Sequence, residues 1–334
     1  MKNVKKYIKL YYEKSEQPFA KQGYYYPPRN WKDFEDWTLK TFQKHLQDEK
    51  KYEEKKYVKP YLKTSLYLAL LSQSYYFGYL IAFEKMDYEI LNNVIFQNTR
   101  RTLLKRSMAA SGTDHCNVLF DVLSAFACND FEVIESFFPK ELPLAKGTYS
   151  TENSVNLIHV LYYKQHHLAN SAIEKANKFL NKKISSLDKY VVKYFIALYN
   201  RDLPETNFCL QELCKAYQRQ GYPTDKIDKC FANEIHGLYR FARIIDNDFF
   251  NKIELPKHDS FFIDFEIWQK ENSFPKGNIF YKYPSEMNYM NKIFEAEIPK
   301  MTLKEYKNGN RKELYKDVET FGMNLHSNVL KIEE

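Results

Sequence analysis

The residues with the clearest potential for chemistry in this sequence are the consecutive Asp114, His115 and Cys116. In a nucleophile relay, a carboxylate orients an imidazole and the imidazole activates a thiol, so the residue types are suitable. Asp114 also suits a helix N-cap, because its carboxylate can accept hydrogen bonds from the backbone N–H groups of the next turn. Sequence neighbours at a helix start rarely converge in space, and we therefore predict a cap here and no relay.

The other ionisable pairs give little support for catalysis. His166 and His167 lie in a predicted turn, where adjacent side chains point apart. Glu234 and His236 are two positions apart, which places them on different faces of a helix. The sequence has no HExxH, Walker loop or GxGxxG motif, and no histidine follows an arginine by four to seven positions, as in helical ribonucleases of the higher-eukaryote-and-prokaryote nucleotide-binding class. We predict no catalytic residue, no cofactor and no metal, and we keep an enzyme with a dispersed site as an alternative.

The five cysteines do not form a disulfide or zinc pattern. Their number is odd, no CxxC is present, and Cys209 and Cys214 are five residues apart, on different faces of a helix. We expect buried thiols in a reducing compartment.

A repeated helical pattern in the middle of the chain would position any functional side chain. The segments FACND, YYKQH and LYNRD begin at Phe126, Tyr162 and Leu198, so they recur every 36 residues. Each segment ends one amphipathic helix, turns on polar residues and opens a second helix. Periods of this length indicate stacked helix pairs, in which no single pair can bury its own apolar stripe. We predict an all-α fold of stacked antiparallel helix pairs that resembles an α-solenoid. The period is similar to that of tetratricopeptide repeats, but the Trp, Gly and Ala positions of that motif are not filled.

The composition favours the same fold class. Hydrophobic residues make up 44% of the chain and aromatic residues 17%, which is ample for a helical interior. Only 9 Gly and 12 Pro are present, too few for the many tight turns of a β-sandwich or barrel.

The most apolar run, 66–83, is interrupted by polar residues and Gly78, so a buried helix is a better interpretation than a membrane span. The N-terminus has no apolar core of signal-peptide length. We expect a soluble, cytoplasmic protein.

We divide the chain into three regions that together form one continuous domain. Residues 1–110 form a basic, aromatic-rich helical region, 111–298 a helical-hairpin repeat region, and 299–334 a polar helical tail. In the first region, three tyrosines precede the double proline Pro27–Pro28. Proline disfavours helix at and before its own position, so we expect an extended loop there.

The net charge of +7 is concentrated near the N-terminus. Residues 1–63 contain 16 Lys or Arg and 9 Asp or Glu, so the remaining chain is balanced. A lysine-rich solvated helical surface explains this balance. The alternative is a basic arm that makes the chain a helical scaffold for nucleic acid or another protein; nucleic acid is not the partner we expect.

The repeats resemble a known family. The units LSAFACNDFEVIESFFP, LIHVLYYKQHHLANSAIEKA and YFIALYNRDLPETNFCLQELCKAY, followed by FFIDFEIWQKE, are similar to the bacterial immunity protein 49 family of polymorphic toxin systems. The resemblance covers roughly residues 60–295 and lies in the pattern of helices. It implies an all-helical cytoplasmic protein that binds and neutralises a cognate secreted toxin, and it supplies no catalytic residues. The basic charge departs from the acidic character of many toxin-neutralising proteins.

An inhibitor of this kind needs a rigid surface with aromatic anchors and complementary charge. Seven residues have suitable side chains for partner binding: Tyr24, Tyr25, Tyr26, Trp31, Asp264, Glu266 and Trp268. Ordinary core or surface packing is the alternative for each. The sequence does not identify the toxin or the oligomeric state.

Overall fold

The computed structural model describes residues 2–15, 18–19, 24–25, 27–53, 59–70, 74–109, 114–219, 225–308 and 311–332. Within these ranges the chain is 69% helical and forms 16 helices that pack in pairs. The predicted all-α fold is therefore confirmed. None of the described helices combines the length and the apolar character that a bilayer-crossing segment needs.

The N-terminal part contains helices and one short two-stranded ladder. These elements are α1 (Lys2–Ser15), β1 (Pro18–Phe19), β2 (Tyr24–Tyr25), α2 (Trp31–Glu53), α3 (Leu62–Leu70), α4 (Ser74–Lys85) and α5 (Tyr88–Ser107). Strands β1 and β2 are antiparallel, with Pro18 opposite Tyr25. The buried helix predicted at 66–83 is described as α3 and α4, and residues 71–73 lie outside the described ranges.

The middle of the chain contains the predicted helix pairs. Its helices are α6 (Leu119–Phe126), α7 (Val133–Phe137), α8 (Ser150–Tyr162), α9 (Ala169–Leu180), α10 (Ser186–Asn200), α11 (Leu203–Arg219), α12 (Asn233–Ile245), α13 (Asn247–Phe250) and α14 (Ile263–Glu271). Helix α8 packs on α9, α10 packs on both α8 and α11, and α12 packs along α6.

The C-terminal part differs from the helical tail expected over 299–334. Helix α15 (Asn288–Glu295) is followed by a hairpin of β3 (Leu303–Asn308) and β4 (Arg311–Lys316), and only then by α16 (Val318–Lys331). The strands pair antiparallel, with Leu303 opposite Lys316 and Asn308 opposite Arg311. The two residues between the strands in the sequence are Gly309-Asn310, a dipeptide of the kind that favours a two-residue hairpin loop.

The chain divides into two compact units, and the division into three regions stays a prediction. One unit consists of residues 1–3 and 114–276, and the other of residues 4–113 and 277–334. Helix α15 belongs to the second of these units, in which it packs on α3 and α5.

In the 114–276 unit, the three predicted turns have a common backbone feature. Asn129, Lys164 and Arg201 each adopt positive φ, between 53° and 58°, at the end of α6, α8 and α10. After α6 and α10 the same hydrogen bond closes the turn, since Asp130 N–H and Asp202 N–H donate to carbonyls five residues earlier, at 3.1 and 2.9 Å. This bond satisfies a carbonyl that the helix end would otherwise leave without a donor. These positive-φ residues are 35 and 37 residues apart, so they recur with nearly the same period as the repeated segments.

Helices α6 and α12 approach each other until their backbones touch. A Cβ atom added to Gly237 would lie 1.7 Å from the carbonyl oxygen of Leu123. Beside this contact, the rings of Phe126 and Phe241 stack with centroids 5.3 Å apart, and both are fully buried. Only glycine permits this crossing, and the flat rings fill the space next to it.

In the other unit, aromatic side chains and a lysine cap secure the packing. Trp31 lies 5.0 Å from Phe77 and 6.0 Å from Tyr281, measured between ring centroids. The Lys316 Nζ atom donates to the carbonyl oxygen of Arg106 at 2.7 Å, in the last turn of α5. The end of the hairpin thus supplies a cation to a helix C-terminus, where the helix dipole favours positive charge.

We expect Gly237→Ala to lower the free energy of unfolding by about 3 kcal/mol, because its methyl group would overlap a backbone carbonyl that cannot move without separating two helices. The measurement is urea denaturation followed by circular dichroism. Asn170→Ala, on the exposed face of α9, is the control and should change stability by less than about 0.5 kcal/mol. Equal stability of the two variants would contradict the direct backbone contact between α6 and α12.

Candidate functional site

Helix α14 carries the predicted group Asp264, Glu266 and Trp268, and the structure separates this group onto two faces. Asp264 is exposed, Trp268 is partly exposed, and Glu266 is only 3% exposed. Helical positions two apart point in nearly opposite directions, whereas positions four apart share a face. The prediction of Glu266 as a surface anchor is therefore wrong, while Asp264 and Trp268 lie together on the outer face.

The outer face of α14 contains two more apolar residues that sequence reasoning missed. Ile263 is 37% exposed and Ile267 is 46% exposed. Their spacing of four, alongside Asp264 and Trp268, was the available signal. We define the α14 patch by five residues: Ile263, Asp264, Ile267, Trp268 and Glu271. The position of Trp268 is fixed by packing, because its ring stacks on buried Phe265 with an interplanar angle of 11°.

Beneath the patch lies a buried polar centre formed by Glu266, His236 and Arg240. One carboxylate oxygen of Glu266 lies 2.5 Å from His236 Nδ1, and the other accepts from Arg240 Nε at 2.7 Å. The Phe262 N–H donates to His236 Nε2 at 3.1 Å. Since Nε2 accepts a proton donor, the imidazole carries its own proton on Nδ1 and donates it to Glu266.

Hydrogen bonds extend the centre to the end of α6. Arg240 Nη1 donates to the side-chain oxygen of Asn129 at 3.3 Å. The Asn129 amide donates in turn to Gln269 Oε1 at 2.8 Å and to the Pro275 carbonyl at 2.9 Å. Asn129 is also the positive-φ residue that ends α6. The network therefore joins α6, α12 and α14 through side chains from three parts of the sequence.

Burial and the interactions among Glu266, His236 and Arg240 determine which of these three side chains is charged. Burial alone would raise the pKa of Glu266, but Arg240 and then His236 outweigh burial and lower it. Burial lowers the pKa of His236, and the hydrogen bond to Glu266 opposes this only in part. The centre thus holds one anion, one cation and a neutral imidazole. His236 and Arg240 are fully buried, so this arrangement positions helices and is closed to a substrate.

We expect Glu266→Gln to reduce the free energy of unfolding by about 3 kcal/mol or more, because it keeps the side-chain shape but leaves the Arg240 guanidinium buried without a counter-ion. Urea denaturation at neutral pH measures the effect. Glu271→Gln, at the exposed end of the same helix, is the matched control. If both variants unfold at the same urea concentration, the buried ion pair does not stabilise the unit.

The predicted aromatic residues near the N-terminus lie in the other unit. Trp31 is 38% exposed and packs on other rings, so part of its indole is accessible. The backbone of Tyr24 and Tyr25 forms β2, consistent with the extended segment expected, but their side chains are outside the described part of the chain. Tyr26 lies outside the described residues altogether. The partner-binding role of these residues stays a prediction.

Asp114, His115 and Cys116 converge, which corrects the prediction that these neighbours would not meet. Asp114 Oδ1 lies 3.2 Å from His115 Nδ1, and Cys116 Sγ lies 3.5 Å from His115 Nε2. The reason is a single 3₁₀ turn at 115–118, capped by Asp114, which accepts from the Cys116 N–H at 2.9 Å. The predicted cap is confirmed. Burial raises the pKa of the Cys116 thiol well above its ordinary value, which disfavours the thiolate that a relay needs.

The cysteines otherwise agree with expectation. All five are buried thiols. Burial raises the pKa of Cys209 and of Cys214 as well. Buried, protonated thiols of this kind behave as small apolar side chains.

His159 on α8 is a buried histidine, and the Phe138 backbone and Glu141 favour its charged form too weakly to offset desolvation. It is 2% exposed. Burial, followed by repulsion from His115, lowers its pKa to about 4. A depressed histidine pKa stabilises the fold above the unfolded pKa of about 6.5, and this contribution is lost as the pH falls through the folded pKa.

We expect His159→Phe to make the protein more resistant to acid. The difference in unfolding free energy from the unchanged protein should grow between about pH 6.5 and pH 4 and reach on the order of 2 to 3 kcal/mol. Urea denaturation across this pH range measures it. His167→Phe, at an exposed position, is the control for replacing a histidine with phenylalanine. A constant difference between His159→Phe and the unchanged protein at every pH would contradict a depressed pKa.

Comparison with known proteins gives no matching family model, no matching curated protein and no matching solved structure.

Proposed function

We propose that this chain is an immunity protein that acts in the cytoplasm by binding a cognate secreted bacterial toxin and blocking it sterically. Occlusion requires a preformed surface and no reactive group on the inhibitor. The resemblance of the helical units to the immunity protein 49 family motivates the proposal. The α14 patch is the observation that carries it.

The composition of the patch suits a protein interface. Ile263 and Ile267 supply exposed apolar area, and Trp268 supplies a large aromatic ring of the kind enriched at interface hot spots. Asp264 and Glu271 are exposed carboxylates beside this apolar strip. An apolar centre with acidic neighbours is complementary to a partner surface on which basic groups surround an apolar contact area.

The support beneath the patch suits tight binding. The inner face of α14 contains Phe265, Glu266 and Gln269, which are all buried. Glu266 is bonded on both oxygens, and Gln269 accepts from Asn129. A helix fixed in this way loses little conformational freedom when a partner binds, so more of the contact energy appears as affinity. Preorganisation is the feature that a blocking protein needs.

The direct test mixes the full chain with the toxin candidate encoded by the adjacent reading frame. We expect a complex at micromolar concentration by isothermal calorimetry, and protection of bacteria that produce both proteins. Absence of a complex at that concentration would refute the proposed function.

Variants of the α14 patch test the surface. Ile267→Asp should weaken the complex by about 100-fold, and Trp268→Ala by about 30-fold, as expected for hot-spot residues. Tyr149→Ser is the control, because Tyr149 is 66% exposed but is remote in sequence from α14. Circular dichroism should show an unchanged fold for all three. Unchanged affinity for Ile267→Asp would place the interface on another face.

A further inference from the structure

Asp114, His115 and Cys116 are the one group of three metal-ligating side chains that comes together within the described residues. Each offers one donor atom, and these atoms lie within 4.8 Å of one another. Cys116 is fully buried and His115 is 6% exposed, whereas the Asp114 side chain is 32% exposed. An N-cap needs only the Asp114 carboxylate. The contact between the imidazole and the thiol therefore has no part in capping the turn.

The separation between the imidazole and the thiol matches the separation of two ligands on one zinc ion. His115 Nε2 and Cys116 Sγ are 3.5 Å apart. Zinc binds imidazole nitrogen at about 2.0 Å and thiolate sulfur at about 2.3 Å with tetrahedral angles, so two such ligands are separated by about 3.5 Å. The distance between these two donors does not have to change for both to bind one ion.

Asp114 determines which ring nitrogen faces the sulfur. Its Oδ1 atom accepts from the Cys116 N–H at 2.9 Å and lies 3.2 Å from His115 Nδ1. Because a carboxylate only accepts hydrogen bonds, the imidazole proton is on Nδ1 and the lone pair of Nε2 is directed at Sγ. A carboxylate bonded to the remote nitrogen of the imidazole is the usual outer partner of a histidine that binds a metal.

The charges around the sulfur favour a cation. Burial raises the pKa of Cys116 most, and the negative charges of Asp114 and of Glu152, in the first turn of α8, raise it further. Negative charges that oppose a bare thiolate attract a divalent ion, and a bound ion removes the thiol proton. His159 on α8 does not oppose this, since burial and then repulsion from His115 lower its pKa to about 4 and its imidazole is neutral at pH 7.

We propose that this turn is a zinc site, with the Cys116 thiolate and His115 Nε2 as ligands and Asp114 as the positioning residue. The ion takes the place of the thiol proton between Sγ and Nε2. The sulfur–zinc bond forms as the S–H bond breaks, the proton passes to solvent, and no electron is transferred. Water completes the coordination of the ion. This assignment departs from the sequence prediction of no metal, and it does not depend on toxin binding, because the site and the α14 patch use different residues.

The test is titration of the full chain, without a polyhistidine tag, with Co²⁺, which replaces zinc and reports its ligands by absorption. We expect one equivalent of Co²⁺ to bind with the near-ultraviolet absorption of a cobalt–thiolate bond, and Zn²⁺ to displace it. Failure to bind either ion would overturn the proposal. Binding of Co²⁺ without thiolate absorption would also overturn it, since the ion would then lie elsewhere, as at the exposed pair His166 and His167.

Variants with matched controls identify the ligands. Cys116→Ala should remove the thiolate absorption, whereas Cys209→Ala, which also removes a buried thiol, should retain it. His115→Phe should weaken Zn²⁺ binding, whereas His159→Phe, at a neighbouring buried histidine, should not. Circular dichroism checks that each variant is folded. Equal Zn²⁺ affinity of Cys116→Ala and Cys209→Ala would refute the assignment of the thiolate ligand.

Asp114→Asn tests the positioning role separately. Asparagine retains the N-cap but lacks the charge that holds the imidazole. We expect Zn²⁺ binding to weaken by about 10- to 100-fold, with the thiolate absorption of bound Co²⁺ retained. Unchanged Zn²⁺ affinity would show that Asp114 acts only as a cap and would overturn its part in the site.

Discussion

The ion pair between Glu266 and Arg240 constrains the arrangement of the 114–276 unit, because neither charge has access to water. A buried charge is tolerated only when its partner is held at hydrogen-bond distance, here 2.7 Å. Arg240 also donates to Asn129, whose positive φ ends the first helix of the repeats. The placement of α12 and α14 and the geometry of the first repeat turn are therefore linked. The α14 patch faces outward as a consequence, since the inner face of that helix is committed to this ion pair.

The fold was largely predictable because it depends on local periodicity. Apolar stripes and the 36-residue step identified the helix pairs, and the step corresponds to recurring left-handed residues such as Asn129 and Arg201. The hairpin at 303–316 was missed because its strands are mostly charged and lack the alternation of apolar and polar residues that indicates a half-buried strand. Gly309-Asn310 was the signal in the sequence that could have identified it. The crossing at Gly237 was not predictable from pattern, since it depends on the approach of a helix more than a hundred residues away.

The candidate site was predictable only in part, because its residues combine across long sequence distances. Helical spacing places Asp264 and Trp268 together and should have excluded Glu266, which is two positions from each. Nothing local in the sequence shows that Glu266 meets His236 and Arg240 from another helix. The convergence of Asp114 with His115 was also missed, since it needs a 3₁₀ turn, in which the cap residue folds back on its neighbours.

Glu234 and Glu266 show how desolvation is followed by opposite pKa shifts when the partners differ. Desolvation is the largest influence on the pKa of both carboxyl groups, and it acts to raise both. The pKa of Glu266 nevertheless falls, because Arg240 and His236 supply charge and hydrogen bonds. The pKa of Glu234 rises to about 7. His236 and Arg240, which compensate Glu266, lie on α12, the helix that also carries Glu234. Helix α12 therefore supplies a cation to Glu266, but it supplies none to Glu234. A group whose charge is satisfied inside the protein has a structural role. The partners that a buried carboxyl group meets therefore decide whether its pKa rises or falls.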